Sequence, residues 1–224
     1  MNKLVNHNTK VACKKHLEEA VNAGIVRAPS APLGVPVLTT TNYPTTLLEK
    51  IMGDEPLFVC DRRTKWSWME KILSAKEQCA RFKADGHKFF IYVDSDDGFL
   101  WQAPTEEICE TIVGTNHIFF QMSNYGYPRY RWFNRKMQKL LGHNGPCAGL
   151  YIARTDRFEE YCDIIIRLNA LRASLVRCMK YGKNIFDDQA SWKTLTAVCN
   201  QRLKVDTDYR YLTRTVEPDY NEIL

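Results

Sequence analysis

The chain has 224 residues, a net charge of +5 and 45% hydrophobic residues, which is enough to bury the core of a single α/β domain. It contains no run of about 18 apolar residues, so we expect no membrane span, and its N-terminus lacks the apolar core of a signal peptide. None of the eight cysteines forms a C-x-x-C pair, which argues against a zinc ribbon or thioredoxin chemistry. We therefore expect reduced thiols and a cytoplasmic location.

The N-terminal region is predicted to be an appendage. Apolar residues recur at helical spacing over residues 10–23, and Gly24 suits the position just past the last helical turn. Residues 27–34 form a proline-rich connector. We expect residues 1–34 to be a helical extension with this connector, and residues 35–224 to form a single domain.

The next part of the chain alternates between strand and helix patterns. We predict strands at residues 35–40 and 56–61, and between them a helix that Thr45 caps, with Glu49 reaching back to the cap. A long amphipathic helix is predicted over residues 65–84. With the strand that follows, this β–α–β–α–β order predicts an α/β fold with a mostly parallel central sheet flanked by helices.

The strongest strand signal is the apolar run Phe89–Val93, which is followed by Asp94, Asp96 and Asp97. Such a run is typical of a strand buried on both faces, whose carboxyl end lies at the ligand-binding edge of an open α/β sheet. Three carboxylates this close repel each other, and oxygen ligands favour a hard divalent cation such as Mg²⁺ or Mn²⁺. The motif is equally compatible with an acidic turn, because Asp-Ser-Asp-Asp-Gly is also good turn chemistry.

The second half of the chain continues the alternation, and it contains a strongly basic stretch. No acidic residue lies between Glu110 and Asp156, which predicts a positive face or loop. The predicted elements are a helix opening at 103–108, a strand at 117–122, mixed loop and helix over 124–144, a strand at 145–153, a helix over 156–179, a helix from 189 to 200, a strand at 203–206 and a loosely structured tail from Thr213.

Seven segments form an ordered set. They are Val37-Leu38-Thr39-Thr40-Thr41, Lys65-Trp66-Ser67-Trp68-Met69-Glu70-Lys71, Tyr92-Val93-Asp94-Ser95-Asp96-Asp97, Phe119-Phe120 with Tyr127-Pro128, Ala148-Gly149-Leu150-Tyr151-Ile152, Asp187-Asp188-Gln189 and Val205-Asp206. In this order they resemble the GT-A type of nucleotide-sugar glycosyltransferase, and more narrowly the glycosyltransferase domain of the procollagen-lysine hydroxylases and procollagen galactosyltransferases. The resemblance implies a GT-A, Rossmann-like fold and the metal-dependent transfer of a hexose from a nucleotide diphosphate sugar, in this family a UDP-sugar, to a hydroxyl acceptor.

The resemblance also implies a metal and nucleotide site at the acidic motif. By position, Asp94 and Asp97 would hold Mn²⁺ or Mg²⁺ and the nucleotide, with Ser95 beside them. Asp96 is the alternative second ligand, because the commoner GT-A spacing is Asp-x-Asp. A nucleotide diphosphate is a poor leaving group until its charge is neutralised, and a carboxylate-bound cation does this as a Lewis acid.

Other motifs of the resemblance supply further donor contacts. Thr39, Thr41 and Tyr43 would contact the nucleoside, although they also suit a strand end and a turn. Lys65 would pair with phosphate, or be a solvated lysine at a helix start. Gly149 would permit close approach of the backbone to the donor sugar, or simply aid packing.

The acids at the start of a late helix resemble those that face the sugar and the acceptor. One of Asp187 and Asp188 would orient the donor sugar or act as base toward the acceptor hydroxyl. Both residues also suit the N-cap of the helix that starts at Gln189, which we count among the donor contacts.

The acceptor is predicted to meet the basic and aromatic stretch. Tyr127, Arg129, Arg131 and Trp132 combine charge with rings, which suits phosphate contacts and stacking on bases or sugars. A hydroxylated base in DNA, a protein and a glycan are therefore all candidate acceptors. A basic helix face with its aromatic residues in the core explains the same pattern.

The chain departs from the family at one point. The family usually supplies a third metal ligand, a histidine downstream of the last strand, but no histidine follows His143 here. Asp206, Asp208 or water would have to replace it. Two other functions stay open: a non-catalytic module that binds a nucleotide or glycan, and a Mg²⁺-dependent phosphoryl-transfer enzyme or nuclease.

Overall fold

The protein is described by a computed structural model, which covers residues 5–7, 19, 22–23, 28–94, 98–100, 102–123, 131–179, 188–199, 201–208 and 210–214. The strands within these residues are β1 (Val5–His7), β2 (Val37–Thr41), β3 (Phe58–Arg62), β4 (Phe89–Val93), β5 (Gly98–Leu100), β6 (Ile118–Met122), β7 (Pro146–Arg154), β8 (Leu203–Asp206) and β9 (Leu212–Arg214). The helices are α1 (Leu47–Met52), α2 (Trp68–Ala84), α3 (Glu106–Val113), α4 (Arg131–Leu141), α5 (Phe158–Met179) and α6 (Asp188–Val198).

The main sheet has six strands in the order β3-β2-β4-β7-β6-β8 within the described residues. The predicted α/β class is confirmed, but the prediction of a mostly parallel sheet is wrong. β2 is parallel to β3 and β4, and β6 is parallel to β8, whereas β7 runs antiparallel to both β4 and β6. The sheet is therefore mixed.

The reversal of β7 follows from the connection that precedes it. β6 and β7 are antiparallel neighbours, with Met122 opposite Pro146 and the Ser123 N–H donating to the Gly145 carbonyl at 2.8 Å. The chain thus leaves β6 and enters β7 at the same edge of the sheet. A parallel strand would instead require a crossover along the sheet. The connection that contains α4 consequently starts and ends at the edge where β4 and β6 finish.

Two hydrophobic cores lie on opposite faces of the sheet, because successive side chains of a strand point to opposite sides. Phe89, Ile91 and Val93 of β4 pack in one core with residues of α1 and α3. Phe90 and Tyr92 pack in the other with residues of α2, α5 and α6. Burial on both faces explains why β4 is apolar at every position.

Short polar residues define the starts of the first three helices. Thr46 caps α1 and forms a capping box with Glu49, so the predicted cap is present but one residue later than Thr45. Ser67 caps α2, which therefore begins at Trp68 rather than at the predicted residue 65. Thr105 caps α3 through the Ile108 N–H.

A small sheet that the sequence patterns do not reveal has the order β5-β1-β9. β1 pairs antiparallel with β5 and parallel with β9. β9 includes Thr213 and Arg214, where a loose tail is predicted.

Near the predicted domain boundary, Leu33 and Val35 are buried in the core, and most of the predicted helix over 10–23 lies outside the described residues.

None of the helices within the described residues is long and apolar enough to span a bilayer.

Candidate functional site

Most of the described candidate residues lie at the carboxyl edge of the main sheet, where β2 and β4 end. These two strands are parallel neighbours, so Thr41 and Asp94 leave the sheet on the same side. The chain places β3 on one side of β2 and β4 on the other, which makes this edge a topological switch point, where open α/β sheets bind ligands. The start of β7 also lies here, since the Asp94 N–H donates to the Gly149 carbonyl at 2.8 Å.

A buried lysine joins two of the predicted carboxylates. Lys71 Nζ lies 2.7 Å from Asp94 Oδ1 and 3.2 Å from Asp188 Oδ2. The side chains of Lys71 and Asp188 are 5% and 4% exposed, and that of Asp94 is 29% exposed. One ammonium group offsets only one of two carboxylates, so the three ionised groups together carry a net negative charge.

Two aromatic rings also surround the Lys71 ammonium. Nζ lies 5.5 Å from the centroid of the Trp68 ring and 5.4 Å from that of Tyr92, which is within the range of cation–π attraction. Tyr92 stacks on Tyr151 with ring centroids 5.1 Å apart and an interplanar angle of 8°. The Lys71 side chain is therefore fixed by packing as well as by charge.

Burial and charge act in opposite directions on these groups. Burial is the largest influence on Lys71 and lowers its pKa, but attraction to Asp188 and Asp94 outweighs it and holds the pKa well above the ordinary lysine value. Burial raises the pKa of Asp188, and the nearby Lys71 only partly offsets that rise. The site thus favours an ammonium at Lys71 and penalises the ionised form of Asp188.

The start of α6 brings Asp188 to the site and anchors β7. Asp188 is the first residue of α6, and its Oδ1 accepts from the Gln189 N–H at 2.9 Å while Oδ2 faces Lys71. The Gln189 carboxamide accepts from the Ala148 N–H at 2.7 Å and donates to the Pro146 carbonyl. The Gln189 side chain therefore forms two hydrogen bonds with the β7 backbone. Each carboxylate oxygen of Asp188 has a partner.

The predicted nucleoside contacts differ in their exposure. Thr39 and Thr41 are buried, and the Thr41 hydroxyl accepts from the Tyr43 N–H at 3.0 Å. In the described part of the chain the Thr39 hydroxyl has no hydrogen-bond partner. Tyr43, which follows β2, is 56% exposed. Trp66 and Trp68, which follow β3, are 40% and 37% exposed. These rings offer stacking surfaces at the carboxyl edge.

Lys71, rather than Lys65, is the lysine that reaches the carboxylates. Lys65 is exposed and precedes α2, whereas Lys71 is buried within it. The spacing of the sequence indicates that Lys71 is buried, although lysine is usually an exposed residue. Lys71 lies four positions before Ala75 and eight before Cys79, on the buried stripe of α2. A lysine in line with an apolar stripe needs a buried partner.

A polar network packs beneath the site. The Thr40 and Ser74 hydroxyls lie 2.7 Å apart, and Ser74 donates to Asp61 Oδ2 at 2.6 Å. Arg63 donates to the same Asp61 oxygen at 2.7 Å and to Glu77 at 2.7 Å. These bonds tie the ends of β2 and β3 to α2, the helix that carries Lys71.

The described donors fit a metal ion only in part. Asp94 offers a partly exposed carboxylate, which suits a hard cation. Within the described ranges no group of three histidine, cysteine, aspartate or glutamate side chains is arranged to hold a metal. Asp206 accepts backbone N–H bonds from Arg210, Tyr211 and Leu212. It ends β8, three strands from β4 and about 14 Å away at normal strand spacing, so it stabilises a turn there.

Several candidate residues cannot be located at this edge. Arg131 and Trp132 belong to α4, but their side chains lie outside the described part of the structure. The candidates that lie wholly outside the described residues are Ser95, Asp96, Asp97, Tyr127, Arg129 and Asp187.

Comparison with known proteins adds no assignment to this geometry. No protein-family model matches the chain, and no curated protein matches it either.

Proposed function

We propose that this protein is a metal-dependent glycosyltransferase of the GT-A type. It moves a hexose from a nucleotide diphosphate sugar, most simply a UDP-sugar, to a hydroxyl acceptor. The observation that carries the proposal is the contact of Lys71 with both Asp94 and Asp188. From separate motifs, the resemblance implies that Asp94 holds the metal and that one of Asp187 and Asp188 orients the sugar or acts as base, and Asp94 and Asp188 share one buried ammonium.

The architecture supports the proposal at a coarser level. An α/β sheet with helices on both faces offers its carboxyl edge to a nucleotide, and Asp94 lies at a switch point of that edge. The reversed β7 brings Gly149 beside Asp94 at the same edge. Exposed Tyr43, Trp66 and Trp68 provide rings for a base or sugar to stack on.

The side chains divide the work according to their contacts. Asp94, with Asp96 or Asp97, would hold Mn²⁺ or Mg²⁺, which when bound neutralises the diphosphate as a Lewis acid. Lys71 holds Asp94 in place and limits its repulsion from Asp188. Both oxygens of Asp188 have protein partners, so Asp188 orients the sugar side of the site and Asp187 is the candidate base.

The test is slow hydrolysis of the donor by water, measured over a panel of nucleotide sugars with Mn²⁺. We expect one UDP-sugar to be hydrolysed and Asp94→Ala to abolish the reaction with the fold intact, because the metal loses its described ligand. Asp54→Ala, which removes an exposed carboxylate elsewhere, is the matched control and retains the rate. An undiminished rate in Asp94→Ala refutes the metal assignment.

A binding assay with the same donors and a nuclease assay separate the two competing functions. Binding of a UDP-sugar without hydrolysis in excess Mn²⁺ indicates a non-catalytic module. Cleavage of nucleic acid with Mg²⁺ and no sugar nucleotide indicates a phosphoryl-transfer enzyme or nuclease.

A further inference from the structure

One exposed face of α4 concentrates positive charge that no carboxylate of the described residues pairs with. Arg135, Lys136 and Lys139 are exposed and lie within slightly more than one helical turn. No carboxylate of the described residues forms a salt bridge with any of the three, although many other surface cations are paired. α4 itself contains no acidic residue.

This arrangement is unfavourable for the free helix. Arg135 and Lys139 are four positions apart and Lys136 and Lys139 are three apart, so like charges face each other on the helix surface. Lys139 is in the last turn, where the helix dipole favours a cation, but the other two lie in the middle of the helix. A polyanion that binds this face would relieve the repulsion.

The charge is also concentrated at this place in the protein as a whole. Six of the 31 lysines and arginines and none of the 26 acidic residues lie between Glu110 and Asp156. The rest of the chain therefore has a net charge of −1, and the excess positive charge belongs to this stretch. Arg154, at the far end of β7, pairs with Asp156, so it does not contribute to the α4 face.

Topology places the α4 face beside the site. The connection that contains α4 begins and ends at the carboxyl edge, because β6 and β7 are antiparallel neighbours. α4 packs against α6, the helix that begins with Asp188. α4 therefore packs against the helix that supplies Asp188, in a connection that starts and ends at the edge where Asp94 lies.

We propose that the α4 face, formed by Arg135, Lys136 and Lys139, binds the phosphodiester backbone of a nucleic acid. Arg135 and Lys139 are about 6 Å apart along the helix axis, which is close to two spacings of about 3.4 Å between successive phosphates of one strand, so the three cations match about three phosphates. A membrane surface fits less well, because an interfacial helix has to insert into the lipid along its length, whereas α4 packs against α6. That the nucleic acid is the acceptor rests on the proposed glycosyltransferase function, whereas the binding itself does not.

The test compares two variants with the same change in charge. In the first, Arg135, Lys136 and Lys139 are replaced by glutamine, and in the second Lys50, Arg81 and Arg167, which are exposed elsewhere, are replaced by glutamine. Fluorescence anisotropy measures the affinity for a labelled single strand and a labelled duplex between about 50 and 200 mM NaCl. Over about this range, the affinity of a protein that contacts phosphates falls strongly as salt rises.

We expect the unaltered protein and the control variant to bind, with affinities that fall steeply as salt rises. Loss of three phosphate contacts removes about 2 to 3 units from the slope of log affinity against log salt. Over this range the affinity of the unaltered protein therefore falls about 20- to 40-fold more than that of the α4-face variant. Equal slopes, equal losses in both variants, no binding at the lowest salt, or equal competition by polyglutamate overturns the proposal.

Donor hydrolysis keeps this outcome separate from that of the proposed function. The α4-face variant should hydrolyse UDP-sugar at the unaltered rate, which also shows that it is folded, and circular dichroism shows this independently. Nucleic-acid binding without hydrolysis in the unaltered protein supports the α4 face and refutes the glycosyltransferase. Hydrolysis of UDP-sugar without nucleic-acid binding supports the glycosyltransferase and refutes the α4 face.

Discussion

Lys71→Met should be costly because it leaves a buried carboxylate without its cation. The Lys71 and Asp188 side chains are 5% and 4% exposed and their charged atoms are 3.2 Å apart. At an effective dielectric constant of about 20 such a pair attracts by about 5 kcal/mol before desolvation is counted. Removing one partner of a buried pair typically costs about 3–5 kcal/mol, and we expect a loss of unfolding free energy in that range at pH 7.

The loss of unfolding free energy caused by Lys71→Met should depend on pH. The pKa of Asp188 is already raised by burial, and loss of Lys71 raises it further. A carboxyl group whose folded pKa is raised loses stability as pH rises through that pKa, because the folded state resists its ionisation. The difference between the unaltered protein and Lys71→Met should therefore be smaller at pH 4 than at pH 7.

Urea unfolding at both pH values measures these differences, with Lys65→Met as the matched control. Lys65 is exposed, so its replacement should change the free energy of unfolding by no more than about 0.5 kcal/mol. The double variant Lys71→Met/Asp188→Asn should recover part of the loss, because it removes the uncompensated charge. Two results would contradict the ion pair. One is that Lys71→Met lowers the free energy of unfolding no more than Lys65→Met does, and the other is that the losses of Lys71→Met and Asp188→Asn simply add in the double variant.

Three further predictions test other parts of the structure. Thr46→Ala should lower the free energy of unfolding by about 1 kcal/mol because the α1 capping box is lost, whereas Thr45→Ala, at an exposed neighbour, should have little effect in the same urea titration. Asn6→Pro should speed hydrogen exchange in β5 and β9, the partners of β1, and leave β4 protected; unchanged exchange contradicts the pairing. Burial raises the pKa values of Cys79 and Cys109 to about 12, so iodoacetamide at pH 8 should label them only after unfolding, as site-resolved mass spectrometry will show.

Local patterns in the sequence predict the main elements well. The apolar run Phe89–Val93 is a strand buried on both faces, and residues 203–206 form a strand with the predicted bounds. Helix starts shift by a residue or a few, because which of several short polar residues becomes the cap depends on packing. β1, β5 and β9 are three residues each, too short to leave a recognisable period.

The sequence motifs predict which residues gather at one edge of the sheet, while the roles of these residues stay predictions. Asp94, Gly149, Asp188 and Gln189 converge at one edge, as expected of residues that bind one ligand. The motifs point to Lys65 instead of Lys71, because a lysine in an amphipathic helix is usually solvated, and only its alignment with Ala75 and Cys79 indicates that Lys71 is buried.

The sequence by itself determined which segments are strands and helices, where acids follow strands, and which stretch is basic. These properties depend on neighbours within a few positions, where side-chain period and backbone preference act. Only the tertiary structure decided that β7 is reversed, that Lys71 bridges acids from two distant segments, and that α4 lies beside them. Strand direction and ion pairing depend on which distant segments pack together, and no local period encodes that.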